Sequence, residues 1–249
     1  MEKSGRPYAV ETLFNKRAAS WSRKFDRGGP LEKRRHELLM AVTSSVVPGG
    51  WVLDLGCGSG EIALAMSKAG YRVVGCDISQ RMLAFAVGRH AVGVSFLRVS
   101  PKWRVLPFGR DKFSGVMLSS VLEYVEEPSF VLQEAFEIME PGGQVIATVP
   151  NCRHPLRSLE TIVRALLRPK VSVPGMEIRA TRLGRWFEYL AVTRRARETA
   201  EWARLFSEAG FERVSSDCES LGALAVVRAS KPALGKELRI RSEGRLGRV

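Results

Sequence analysis

Residues 54–61 read DLGCGSGE, and this short stretch decides the fold. Asp54 and Leu55 continue an apolar run that starts at Trp51, Val52 and Leu53, and a helical pattern opens at Glu61. Between them Gly56, Gly58 and Gly60 stand at every second position. Strand, glycine turn and helix in that order are the place where α/β proteins bring their backbone close to a nucleotide cofactor.

Working outward, the pattern alternates. Strands are expected over 51–55, 71–76, 94–99, 113–119 and 144–149, and helices over 61–69, 79–89 and 129–139. Alternation of this kind implies a mainly parallel sheet with right-handed crossovers. Upstream, 9–26 is amphipathic, with Leu13, Phe14, Ala18, Trp21 and Phe25 on one side. Gly28-Gly29-Pro30 breaks it, and 31–47 reads as a second helix. Beyond Pro150 a helix is expected over 154–168, irregular Arg-rich chain over 169–197, and a helix over 199–209. The runs 211–218 and 223–229 lie close enough in sequence to pair antiparallel. Residues 231–249 read as a flexible basic tail. The expected fold class is thus α/β: a Rossmann-like, doubly wound, mostly parallel sheet with a C-terminal antiparallel hairpin. It forms a single domain over 1–230, made of an N-terminal helical cap (1–48), a cofactor-binding half (51–150), a lid insert (151–197) and a closing helix and hairpin (198–230).

The glycine turn discriminates between nucleotides. A dinucleotide fingerprint, G-x-G-x-x-G/A, would rest a pyrophosphate on the helix N-terminus. Here the sixth position is Glu61, whose carboxylate already complements the helix dipole and repels a pyrophosphate. The acid before the glycines, Asp54, suits a cofactor with a nucleoside, no phosphate and a cationic group. Asp77 ends the second strand in VVGCDIS, where a carboxylate accepts bonds from ribose hydroxyls.

Composition narrows the classes further. The chain has 249 residues, 45% of them hydrophobic, and a net charge of +13. Residues 51–150 are almost neutral, with 9 Lys and Arg against 10 Asp and Glu, so the basic charge lies on the flanking segments. Both a solvated basic surface and an anionic partner fit that distribution. No run of 18 apolar residues is present, and MEKSGRPYAVETLF lacks the apolar centre of a secretory signal. Cys57, Cys76, Cys152 and Cys218 show no metal-ligand spacing and are expected as reduced thiols in a cytoplasmic protein.

The stretches VLDLGCGSGE, VVGCDIS, LPFGRDKFSGVMLSSVLEYVEEP, EIMEPGGQVIATVPN and FSEAGF, in this order and at these separations, resemble the class I S-adenosylmethionine-dependent methyltransferases. The branch most similar is the one that includes the ubiquinone and menaquinone biosynthesis enzymes. The resemblance covers 9–150 and, in outline, 198–230. It implies that Asp54, Gly56, Gly58 and Gly60 surround the methionine part of S-adenosyl-L-methionine, that Asp77 holds the ribose, and that Ile78 and Met82 pack on adenine. Ser119 would lie near the transferred methyl, and Trp21 near the methionine end or in the helix core. Two positions depart from the family pattern. No acid precedes the LPF triplet, leaving Ser100 as a weaker acceptor for the adenine amino group, and Ser114 replaces an Asp.

Methyl transfer from a sulfonium chiefly needs alignment, and a base only for alcohols, charged amines or carbon acids. His154 is the candidate base and Tyr124 a candidate hydrogen-bonding partner of the acceptor; a solvated loop histidine and plain packing are the alternatives. The cap and the insert would select the acceptor, expected as a small-molecule, lipid-linked or carrier-linked metabolite, anionic or neutral, methylated at oxygen (carbon and nitrogen staying open). Peripheral membrane contact is compatible with an apolar face beside Arg157, Arg164 and Arg168, as is an ordinary lid. An RNA methyltransferase and a non-catalytic module that keeps the fold are the rivals; an NAD-dependent enzyme ranks behind them.

Overall fold

The structure is a computed structural model that describes residues 9–25, 28–29, 31–89, 92–151, 153–155, 159–160 and 197–233. Most of the expected 154–168 helix, residues 169–196 and residues 234–249 of the basic tail lie outside the described residues, as does Cys152. The elements run α1 (Ala9–Ser22) with a 3-10 turn (Arg23–Phe25), α2 (Glu32–Thr43), β1 (Trp51–Leu55), α3 (Glu61–Lys68), β2 (Arg72–Asp77), α4 (Gln80–Val87), β3 (Val94–Arg98) and β4 (Phe113–Ser119). They continue with α5 (Pro128–Ile138), β5 (Met139–Pro150), α6 (Thr199–Glu208), β6 (Glu212–Leu221) and β7 (Leu224–Ser230).

The seven strands form one sheet in the order β3-β2-β1-β4-β5-β7-β6. β1 pairs parallel with both β2 and β4, so the direction of winding reverses between β1 and β4. β7 enters antiparallel between β5 and β6. The hairpin is therefore the one expected, with its second strand lodged inside the sheet. β5 starts earlier than expected, at Met139, because Met139 pairs with Phe113 ahead of a bulge that resumes at Gly115 and Gln144.

Strand residues alternate strictly between two cores. Leu53, Leu55, Val116, Leu118, Val145 and Val227 face α5 and α6 through Leu132, Trp202 and Phe206. Val52, Val73, Met117, Ile146 and Val226 face α2 and α3 through Leu38 and Met66. Both faces are covered, which is why β4 reads as a continuous apolar run rather than an alternating one. The N-terminal cap is tied down by polar contacts at discrete points. Asn15 Oδ1 accepts from Ser79 Oγ (2.8 Å) and from the Arg81 amide (3.0 Å) at the start of α4, and Glu11 pairs with Arg98 at 2.8 Å. Thus α1 lies across the C-terminal edge of the strands, above the point where the winding reverses.

Candidate functional site

The turn after β1 spends its amides inside the protein. Gly56 N and Cys57 N both donate to Cys76 O (2.7 and 3.0 Å), Gly58 N donates to Asp77 Oδ2 (2.8 Å), and Gly60 N donates to Cys57 O (3.0 Å). A phosphate cradle needs such amides pointing outward. Here they are committed, which excludes pyrophosphate more firmly than the charge on Glu61 does. Glu61 is itself satisfied, accepting from Ser59 Oγ at 2.8 Å and pairing with Arg89 at 2.5 Å.

The glycines have separate tasks. Gly56 has φ 79°, and a Cβ there would meet Val121 Cγ2 at 2.4 Å, so only glycine fits. A Cβ on Gly58 would lie 3.6 Å from Trp21 Nε1, which places the indole directly over the turn. Gly60 packs against Ala86 and Phe96 and stands outside the cavity wall; its role is the close approach of α3 to its neighbours.

Asp54 is completely buried, and both its carboxylate oxygens lack a hydrogen-bond partner. Its pKa rises from 3.8 to about 7, first through burial and next through Asp77; Glu61 adds to the rise, while the Ala63 amide and Arg34 oppose it. A buried carboxylate in this state calls for a cation. Asp54, Arg34, Ser119, Gly56 and Gly58 enclose a hollow of about 30 Å³ behind the turn. Asp77 is held by Gly58 N and by Ser79 N (2.7 Å), and burial lifts its pKa to about 6 against the pull of those amides. Each oxygen accepts one amide bond and keeps capacity for a second.

In front of the turn opens a cavity of about 490 Å³. Its wall includes Asp77, Ile78, Met82, Val99 and Trp103, the turn residues Gly56 and Gly58 with Ser119, and the aromatic side chains Phe14, Trp21 and Tyr124. Its size and its mostly apolar lining with a few polar groups suit a small organic cofactor or ligand. The structure thus brings together Gly56, Gly58, Asp77, Ile78, Met82, Ser119, Trp21 and Tyr124, with Asp54 immediately behind. Ser100 and His154, expected in the site, and Ser114, a departure from the family pattern, stand apart from the described cavity wall. Ser100 is exposed, accepts from the Lys102 amide at 3.2 Å and stands outside the wall, because the chain turns there and sends Val99, Pro101 and Trp103 inward instead. His154 rests against the Gly222 turn, its Nε2 3.8 Å from where a Cβ would stand, and is not part of the wall. Ser114 lies far down β4, donating to Trp51 O at 3.0 Å, so its departure from the family pattern does not touch the site.

Two buried polar residues of the site escaped the sequence reading. Arg34 donates to Ser119 Oγ (2.6 Å), Ser120 Oγ (2.7 Å) and Thr148 Oγ1 (3.1 Å), bolting α2 onto the ends of β4 and β5. Its signal was present: Arg34 shares one buried helical face with Leu38, Ala41 and Val42 at i+4, i+7 and i+8. Glu123 is only 3% exposed and lines the cavity beside Tyr124. Ser120, just ahead of it, adopts a left-handed conformation (φ 54°) held by Arg34 and by its own amide donating to Thr148 Oγ1 at 2.8 Å. Backbone strain of this kind persists where the surroundings over-determine it, and it is commonest at functional sites. The thiols are inert by contrast: burial pushes Cys57 well up and Cys76 up to about 12.

The strand order and the antiparallel β7 between β5 and β6, with a cavity at the switch point, define the class I methyltransferase architecture. A family described as "Methyltransferase domain" matches residues 53–147. A demethylmenaquinone methyltransferase of Tropheryma whipplei is 30% identical over 189 residues, covering 74% of this chain and 75% of that protein. A ubiquinone biosynthesis O-methyltransferase of Pseudomonas fluorescens is 31% identical over 153 residues, covering 58% and 65%. The magnesium protoporphyrin IX methyltransferase of Synechocystis, solved with bound S-adenosylhomocysteine, superposes with a TM-score of 0.64 at 17% identity, covering 89% of this chain and 98% of that one. The chain belongs to the S-adenosylmethionine-dependent methyltransferase family, and its cofactor is S-adenosyl-L-methionine. Among the described residues no helix is long and apolar enough to cross a membrane.

Proposed function

We propose that this methyltransferase acts on a hydroxyl oxygen of an apolar, aromatic small molecule, free or carried on a lipid or carrier. The observation that carries this reading is that one cavity is lined both by Asp77, Ile78 and Met82 and by the mutually packed rings of Phe14, Trp21 and Tyr124. Asp54 would face the cofactor's ammonium and Arg34 its carboxylate, Asp77 would accept from the ribose hydroxyls, and Ile78, Met82 and Trp103 would hold the adenine. This fits the orphaned Asp54 oxygens, which need a cation, and the spare acceptor capacity of Asp77. When bound, the cofactor supplies an electrophilic methyl group on a sulfonium.

The protein's own part is alignment and exclusion of water. Phe14 stands edge-on to both Trp21 (5.7 Å between ring centres) and Tyr124 (5.3 Å), forming an aromatic corner where a flat ring can lie. Fixing two reactants at near-attack distance is worth several orders of magnitude in rate. The names of the relatives, quinone biosynthesis enzymes among them, support an aromatic acceptor with an apolar substituent.

The test is incubation of the enzyme and cell extract with S-adenosylmethionine carrying a deuterated methyl, followed by mass analysis of metabolite, lipid, nucleic-acid and protein fractions. Label on an oxygen of a lipid or small aromatic, lost in Asp77→Ala, is the expected result. Label in nucleic acid or protein would overturn the acceptor class.

A further inference from the structure

Next to Tyr124 of the aromatic corner, the cavity wall includes an acidic residue that alignment alone does not require. Glu123 is buried to 3% exposure, yet its residue forms part of the cavity wall. Its position is fixed from both sides. Upstream, Ser119 and Ser120 are held by Arg34 and Thr148. Downstream, the Tyr124 amide donates to Val121 O at 3.0 Å and the Tyr124 ring packs on Phe14. The neighbouring Leu122 turns into the core. The chain between β4 and α5 is thus a rigid arm that presents Val121, Glu123 and Tyr124 to the acceptor. Among the described residues the other charged groups of the wall are Lys24, Arg34, Asp77 and Glu160.

We infer that Glu123 is the general base of the reaction, taking the proton from the acceptor hydroxyl. This rests on the oxygen-acceptor reading above. A phenol with an ordinary pKa near 10 is only about 0.1% ionised at pH 7, so the nucleophile needs a proton acceptor within reach. In the step, the hydroxyl O–H bond breaks and its proton goes to a Glu123 carboxylate oxygen. The oxygen lone pair forms the new O–CH₃ bond, the S–CH₃ bond breaks, and its electron pair stays on sulfur as a neutral thioether. The proton then leaves to solvent with the product. His154, the base suggested by sequence, stands outside the wall and is not needed.

The experiment compares wild type, Glu123→Gln and Tyr124→Phe on two probes, 4-tert-butylcatechol, neutral at pH 7.5, and 4-nitrocatechol, which is largely ionised there. Glu123→Gln should lose about 10²–10⁴-fold in turnover on the neutral probe and stay within about threefold on the ionised one. Tyr124→Phe should affect both alike. A second readout uses no turnover. The absorbance of 4-nitrocatechol bound to the cofactor-free enzyme should show it ionising about one pH unit lower in Glu123→Gln, because a nearby carboxylate disfavours the phenolate. Equal loss on both probes, or no loss on either, would overturn Glu123 as base while leaving the acceptor reading intact. Failure of the wild type itself to methylate either catechol would instead overturn the phenolic acceptor, and the base with it.

Discussion

Replacing Asp54 by Asn tests the electrostatic logic of the site without a substrate. The carboxylate is fully buried, without hydrogen bonds, and its pKa stands at about 7 against 3.8 in an unfolded chain. Between those values the folded protein binds a proton that the unfolded chain does not. The contribution of Asp54 is therefore present in full below about pH 4 and is lost as pH rises to about 7. Three units at 1.36 kcal/mol each give a loss on the order of 4 kcal/mol. Asn is close in shape and does not titrate, so the variant escapes this loss, although its amide brings a constant cost of roughly 1–3 kcal/mol if left unbonded. The assay is thermal unfolding of cofactor-free wild type and Asp54→Asn from pH 4 to pH 8 at fixed ionic strength. All other titrations are common to both apart from the coupling to Asp77. The variant should gain on wild type by about 10 °C in Tm across that range, since 1 kcal/mol moves a protein of this size by roughly 2–4 °C. Saturating S-adenosylmethionine, at about 1,000 times its Kd, should stabilise wild type by roughly 4 kcal/mol and the variant far less. Parallel Tm curves for the two proteins would refute the reasoning, since they would mean that Asp54 is already neutralised without the cofactor.

The same titrations predict that cofactor affinity falls as pH drops below about 7, where Asp54 protonates, and faster below about 6, where Asp77 follows. The slope should approach tenfold per unit per group, measured by Trp fluorescence or calorimetry. Gly56→Ala forces a Cβ to within 2.4 Å of Val121 at φ 79°, and should abolish detectable cofactor binding while costing about 2 kcal/mol or more in urea unfolding. Arg34→Met removes three hydrogen bonds to hydroxyls and a cation that lowers the Asp54 pKa, so unfolding should become easier by roughly 3 kcal/mol. An unchanged denaturation midpoint would show that α2 is held by its apolar face alone.

Much of this protein was legible in its sequence, for a physical reason. The alternation of apolar runs with amphipathic helices is local, and it placed β1 and β4 to the residue. DLGCGSGE carries its meaning in the backbone, because Gly56, Gly58 and Gly60 all adopt positive φ (79°, 55° and 83°) that other residues rarely take. The acids Asp54 and Asp77 follow from the ends of their strands. What the sequence alone determined was therefore the elements, the class of cofactor site and the turn that shapes it. Only the tertiary structure decided which polar side chains share that site. Arg34 is 85 residues from Ser119 and 114 from Thr148, and only the docking of α2 brings them together. Ser100 fell outside the wall because the chain turns there and sends Val99, Pro101 and Trp103 inward, His154 packs against the Gly222 turn instead, and Glu123, just after the left-handed turn at Ser120, lines the wall. Local pattern fixes where a strand ends. Which side chain the next few residues send into the cavity depends on backbone angles held by distant partners, and no window of sequence contains those.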